Sequence, residues 1–231
     1  MFTLDASRNI AVFAVKTASR AKMIEGTYPF LLLLRLWSEH TDHLWAHGAA
    51  VGTPRAGVLI VGMGGAGKSS TSISVTGGKL KLLSDDHVLI APDRTASSVY
   101  STLRIRPDMI KRLQAARPWF DDSNWFDWRG KPSQILSSDK HRFLCRQLPL
   151  KAIVIPRHHC EDGPSFHRIS SAPALRAIAP VTITKHYVNP LARLELLTSI
   201  VQRLPVYEFH TTLDLIHMRE PFERFIESLE E

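Results

Sequence analysis

The run Gly57-Val58-Leu59-Ile60-Val61-Gly62-Met63-Gly64-Gly65-Ala66-Gly67-Lys68-Ser69-Ser70-Thr71 decides how the rest of the chain is read. Val58 to Val61 is a short apolar strand, and Ser69 to Val75 can form a helix. Between them Gly62, Gly67, Lys68 and Ser69 fit the pattern G-x-x-x-x-G-K-[ST]. Glycines let successive backbone N–H groups turn inward around phosphate oxygens. The helix that follows points its positive end at the same oxygens. Gly62, Gly64, Gly65, Ala66, Gly67, Lys68, Ser69 and Ser70 therefore form a candidate nucleotide-binding loop. Lys68 can reach the terminal phosphates, and the Ser69 hydroxyl can bind a magnesium ion. A bare glycine-rich surface turn would not need the strand before it and the helix after it.

Close behind the loop, Leu80, Leu82 and Leu83 lead into Ser84-Asp85-Asp86, and Val88 to Ile90 resume an apolar run. Aspartate is a common turn residue, so the pair taken alone reads as a turn between strands. Beside a phosphate loop, two adjacent carboxylates at a strand end suit a metal ligand and a base. Upstream, Trp45 to Val51 reads as one small-residue strand carrying His47. Two readings of His47 stand: a satisfied core histidine, or a group brought to the phosphate site by antiparallel pairing through the turn at Gly52 to Ala56.

Together His47-Gly48-Ala49-Ala50-Val51, the Gly62 to Ser70 loop and Leu82-Leu83-Ser84-Asp85-Asp86-His87-Val88 resemble the HPr kinase family and the wider group with phosphoenolpyruvate-carboxykinase-like P-loops. The resemblance covers Trp45 to Ile90 closely and the rest of the chain loosely. It implies an α/β fold with a phosphoenolpyruvate-carboxykinase-like core, a mixed sheet and flanking helices. It implies a kinase that uses ATP and Mg2+ to phosphorylate a serine hydroxyl. By the same resemblance Asp85 would be the base, Asp86 and Ser69 would hold the metal, Lys68 would bind phosphate, and His47 would assist. The chain departs from the HPr kinases in two ways. Trp128-Arg129-Gly130-Lys131 is all that resembles their later Glu-Ile-Arg-Gly signature, and their N-terminal domain has no counterpart. The resemblance therefore implies a small relative. Such relatives occur beside peptide-modification systems, lasso peptides included, and phosphorylate a serine of the precursor peptide. A homo-oligomer is compatible with it.

A chain of 231 residues, 44% of them hydrophobic, has the size of one large domain. We read residues 1–231 as that single domain, with N-terminal strands and a helix over 1–44 and the catalytic core over 45–231. Lys and Arg number 29 against 22 Asp and Glu, a formal charge of +7. That balance suits an anionic partner, be it ATP, an acidic peptide or nucleic acid. The basic residues are scattered, which argues against a dedicated nucleic-acid surface. Two cysteines without a pairing motif, Cys145 and Cys160, fit a reducing compartment. The most apolar run, Phe30 to Leu34 with Leu36 and Trp37, is too short to span a membrane. The expectation is a cytoplasmic protein without membrane association.

Elsewhere the pattern predicts one or two strands over Phe2 to Lys16 and a buried helix over Tyr28 to His40. A strand is expected over Ser97 to Ile105, with Arg104 and Arg106 in one phase, facing either solvent or a transferring phosphate. A helix is expected over Pro107 to Ala116. The aromatic run Pro118 to Lys131 reads as a lid or as an aromatic cover for the sheet, with Lys131 a further candidate cation. Leu148 to Pro156 reads as a buried strand. Arg157 to Pro164 reads as a hairpin loop rather than a His-Cys metal site, with Phe166 to Ile169 as the return strand. Helices over Ser171 to Ile178 and Pro190 to Arg203, a strand over Pro205 to Phe209, and a closing helix over Leu213 to Leu229 broken at Pro221 complete a mixed α/β pattern. Rival functions are a kinase for free serine or another small molecule, an ATP-binding regulator without turnover, and a nucleic-acid-binding ATPase.

Overall fold

A hairpin opens the chain. Strands β1 (Phe2–Asp5) and β2 (Ile10–Phe13) pair antiparallel, and Asn9 closes their turn in the left-handed conformation at φ 54°, which asparagine tolerates better than most residues. Helix α1 follows (Leu31–Ser38), and then come β3 (Leu44–His47), β4 (Ala49–Gly52), β5 (Gly57–Ile60), α2 (Lys68–Val75), β6 (Lys81–Ser84) and β7 (His87–Ile90). The middle of the chain holds β8 (Thr95–Ser98), β9 (Thr102–Arg104), α3 (Pro107–Ala116), β10 (Trp125–Trp128) and β11 (Lys131–Ile135). The last third holds β12 (Gln147–His158), β13 (Ser165–Ile169), α4 (Ala172–Ile183), α5 (Pro190–Gln202), β14 (Val206–Thr211) and α6 (Arg219–Ser228). The computed structural model describes residues 2–17, 19, 28–116, 125–128, 131–136, 138–158, 163–184, 186, 188–212 and 215–231.

Nine strands form one mixed sheet, β3-β7-β8-β12-β5-β4-β6, with β14 on β12 and β13 on β14. β10, β11 and β9 form a smaller antiparallel sheet. Both faces of the large sheet are covered, which explains the continuous apolar runs in β5 and β12. Val58, Ile60, Ala152 and Val154 face a core with Ile73 of α2, Leu113 of α3 and Phe222 and Ile226 of α6. Their neighbours Leu59, Val61, Ile153 and Ile155 face the opposite core, with Ile178 of α4 and Leu197 and Val201 of α5. Period-2 alternation thus feeds two cores at once. Phe222 is fully buried, its ring 5.2 Å from that of Phe209 in an edge-on arrangement. Phe222→Ala should cost about 3–5 kcal/mol, read as a lower denaturant midpoint at unchanged slope.

The strand arrangement corrects several expectations. Trp45 to Val51 is two strands, interrupted at Gly48. β3 pairs with β7 and β4 with β6, antiparallel and in the same register from His47↔His87 to Ala50↔Ser84, with a shift between Ala50 and Val51. The interruption in the first ribbon faces the interruption in the second, where Asp85 and Asp86 stand. Gly48 N–H donates to the Asp86 carbonyl there, at 3.1 Å. A Cβ on Gly48 would approach the Ile60 carbonyl oxygen to 3.0 Å, so the packing against β5 calls for glycine.

The expected strand over Ser97 to Ile105 is likewise divided, with β8 in the large sheet and β9 in the small one. β13 does not return along β12; β14 lies between them, antiparallel to β13 and parallel to β12. β12 and β13 therefore do not form a hairpin, and residues 159–162 between them lie outside the described residues. α4 continues to Ile183 through Pro180, beyond the expected end at Ile178. Pro221 sits in the first turn of α6, where a missing N–H costs nothing, so it starts the helix instead of breaking it. The aromatic run contributes β10 and the first residue of β11. Residues 117–124 and 129–130 and the Lys131 side chain lie outside the described residues, as does Cys160. No helix among the described residues is long and apolar enough to cross a membrane.

Candidate active site

Three strands of the large sheet, β5, β12 and β14, run parallel, and parallel sheets bind ligands beyond the carboxyl ends of their strands. At that end β5 leaves into the Gly62 to Gly67 loop, β12 ends on His158, and β14 leads to Thr212. A cleft of about 410 Å³ opens there, lined by Gly64 to Ser70, His47, Asp86, Arg104, Arg106, Asp108, Arg112, His158 and Thr212, among others.

The loop has the backbone its glycines permit: Gly65 and Gly67 take φ of 84° and 91°, a region that other residues enter only with strain. A side chain on Gly67 would also meet the His158 ring at 3.7 Å. α2 begins directly behind, so the first N–H groups of the helix join the cleft wall. Lys68 is 9% exposed, and its Nζ donates to the Gly62 carbonyl at 2.8 Å and lies 3.4 Å from that of Met63. The lysine thus folds back over its own loop, with its charge at the cleft. α2 is rich in hydroxyls yet buried. Two hydroxyls of this stretch bond back to its own backbone: Ser74 donates to the Ser70 carbonyl, and Thr76, just past the helix, to that of Ser72.

The two aspartates have opposite environments. Asp85 is 2% exposed and lies behind the wall formed by Ser69 and Arg104. The Arg104 backbone N–H donates to its Oδ2 at 3.0 Å, and the Ser72 hydroxyl reaches Oδ1 at 3.4 Å. Burial pushes its carboxyl up to about 6, against the downward pull of the Arg104 hydrogen bond, the Ser69 hydroxyl and Lys68. Asp86 lines the cleft itself. Burial pushes its carboxyl up too, but the adjacent His47 ring, the proximity of His87 and the Tyr28 hydroxyl outweigh that and hold it well below the usual range. His47 Nδ1 lies 3.0 Å from Asp86 Oδ1, and the Tyr28 hydroxyl donates to Oδ2 at 2.9 Å.

His47, Gly64, Gly65, Ala66, Gly67, Lys68, Ser69, Ser70 and Asp86 are thus gathered at one cleft; Gly62 lies at the neck of the loop, and Asp85 behind the wall. The Ser69 hydroxyl pulls the Asp85 carboxyl downward, and Ser69 shares the cleft with Asp86. Arg104 and Arg106 both line the cleft, Arg106 in a bidentate pair with Asp108 at 2.9 Å. A hydroxyl and an ionised carboxylate suit a hard divalent cation, and the glycine cradle with its lysine suits a polyphosphate. Sequence reasoning missed Tyr28, His87, Arg112 and His158. His158 could have been found, because it ends a strand parallel to the one that enters the loop. Tyr28 could not, since only the fold brings it to Asp86.

No protein-family model matches the chain, and no curated protein matches it. Among solved structures the chain is similar to the HPr(Ser) kinase/phosphatase from Coxiella burnetii, at 12% identity over 82% of this chain and 93% of that one, with a TM-score of 0.38. A likeness that distant carries no argument. The case for function rests on the cleft.

Proposed function

We propose that the protein is an ATP-dependent kinase that moves the γ-phosphate to the serine hydroxyl of a peptide or protein. The observation that carries this reading is one cleft that brings a glycine cradle with Lys68 beside Asp86, with Asp85 buried directly behind its wall. Asp85, at about 6, is a base poised near neutral pH; Asp86, held ionised, is a cation ligand. A bound magnesium ion would be held by Ser69 and Asp86, where it would neutralise charge on the phosphates.

In this reading the loop N–H groups and Lys68 hold the polyphosphate, and Arg104 and Arg106 steady charge on the phosphoryl group as it moves. The Ser69 side chain, part of the wall in front of Asp85, turns aside and exposes the buried carboxylate. Asp85 takes the serine proton as the serine oxygen bonds to the γ-phosphorus; the bond to the bridging oxygen breaks, and ADP leaves. The basic cleft lining favours an acceptor with acidic neighbours, such as a precursor peptide awaiting modification.

Mass spectrometry of transfer tests this. The protein with magnesium and ATP should phosphorylate a serine within acidic peptides and leave free serine unchanged. Transfer to free serine alone would replace the peptide reading with a metabolite kinase. Nucleotide binding without transfer to any serine acceptor would remove the kinase reading in favour of a regulator.

A further inference from the structure

His47, Asp86 and His87 bring ligand-type atoms within 4.8 Å of one another, which on distance alone reads as a three-ligand metal centre. The hydrogen bonds behind them argue otherwise. Trp45 sits on β3 and His87 on β7, neighbours in one ribbon, and both are buried. The Trp45 indole Nε1–H lies 3.3 Å from His87 Nδ1. An indole nitrogen only donates, so His87 Nδ1 must accept. The proton of the neutral His87 ring is then fixed on Nε2, and that nitrogen faces Asp86 Oδ2 at 3.6 Å. A protonated nitrogen has no lone pair to give a metal.

The same carboxylate oxygen accepts a hydrogen bond from the Tyr28 hydroxyl at 2.9 Å. The phenol is the donor here, since an ionised carboxylate only accepts. Its ring packs edge-on against His87, with centroids 4.7 Å apart. Asp86 is therefore divided: Oδ2 is engaged by Tyr28 and confronted by His87, while Oδ1 stands beside His47, which lines the cleft.

We infer that Tyr28, Trp45 and His87 form a rigid backing that positions Asp86, so that a cation in the cleft meets Oδ1 alone and His87 is a positioning residue and not a ligand. The inference rests on the kinase reading for the cation, but the backing itself is decided separately. Residues that orient a ligating carboxylate typically change metal affinity by about 10–100-fold when altered.

Two measurements test it. Long-range 1H–15N correlation spectra of the 15N-histidine protein, with the His87 signals assigned by their loss in His87→Gln, should show His87 protonated on Nε2. Trp45→Phe, which removes only the indole donor, should give a mixture of tautomers. Electron paramagnetic resonance should then follow Mn2+ binding in the presence of a non-transferable ATP analogue. Tyr28→Phe and His87→Leu should each weaken Mn2+ about tenfold, while His87→Gln, whose amide N–H can replace the imidazole N–H, stays within about twofold of wild type. A proton on Nδ1 in the wild type would overturn the inference. So would equal losses in His87→Gln and His87→Leu, which would make the imidazole a ligand. A wild type with the expected tautomer that binds no Mn2+ would sink the kinase reading while leaving the backing of Asp86 in place.

Discussion

Asp85→Asn is expected to lower phosphoryl transfer by about 10²–10⁴-fold, the range a general base supplies, while leaving nucleotide affinity within about twofold, since the carboxylate lies behind the loop and off the phosphates. The same change should stabilise the protein at alkaline pH. The folded carboxyl titrates at about 6 and an unfolded one near 3.8. The folded state therefore holds a proton that the unfolded chain releases between those values. Stability falls as pH rises from about 4 through about 6, and the full penalty persists above that. Asparagine cannot ionise, and its carbonyl oxygen can still accept from the Arg104 N–H. The variant should gain roughly 1–3 kcal/mol over wild type at pH 8 and little or nothing at pH 4. Chemical denaturation at the two pH values reads this directly. Wild-type turnover should also fall on the acid side of about pH 6, where the base is protonated. Retained turnover in Asp85→Asn would remove the base assignment, and a variant no more stable at pH 8 than at pH 4, relative to wild type, would remove the buried-charge account.

Lys68→Ala is expected to lose transfer by about 10²–10³-fold, the usual cost of removing a cation aimed at developing charge. Here the lysine has a second task. Its Nζ closes the loop onto the Gly62 carbonyl, so alanine also releases the loop backbone. Nucleotide affinity should fall along with the rate, unlike in Asp85→Asn, and calorimetric titration with ATP separates the two variants. Equal ATP affinity in Lys68→Ala and wild type would mean that the lysine does not touch the phosphates.

The sequence made some of this legible because some of it is local. A phosphate loop needs a strand, glycines at fixed offsets and a helix, and all of these lie within twenty residues. The apolar runs of β5 and β12 announced burial on both faces, and the large mixed sheet with flanking helices agrees with the α/β pattern. What was not legible depends on which strand lies beside which. The interruption at Gly48 is invisible in an otherwise uniform small-residue run, since only its pairing with the Asp85-Asp86 interruption produces it. β14 inserts between β12 and β13 although it comes last, so adjacency in sequence suggested a hairpin that does not exist. Tyr28 reaches Asp86 across 58 positions, and nothing in its neighbourhood marks it. Pro221 suggested a break in the last helix because proline's effect depends on its turn of the helix.

β12 has a consequence for how the chain folds and how it opens. Its first residues pair with β8, and its later ones lie between β5 and β14. Partners drawn from the first half and from the end of the chain must all arrive before that strand is complete, and contacts so distant in sequence slow folding. Once in place, Ile153 and Val154 are bonded on both sides, and neither half of the sheet can detach without breaking the strand they share. Their amides should exchange with solvent only when the whole molecule unfolds, whereas those of the β1–β2 hairpin, which pairs with nothing in the large sheet, should exchange far faster. The glycine-rich loop leaves from β5, one strand away from that slowest-exchanging segment.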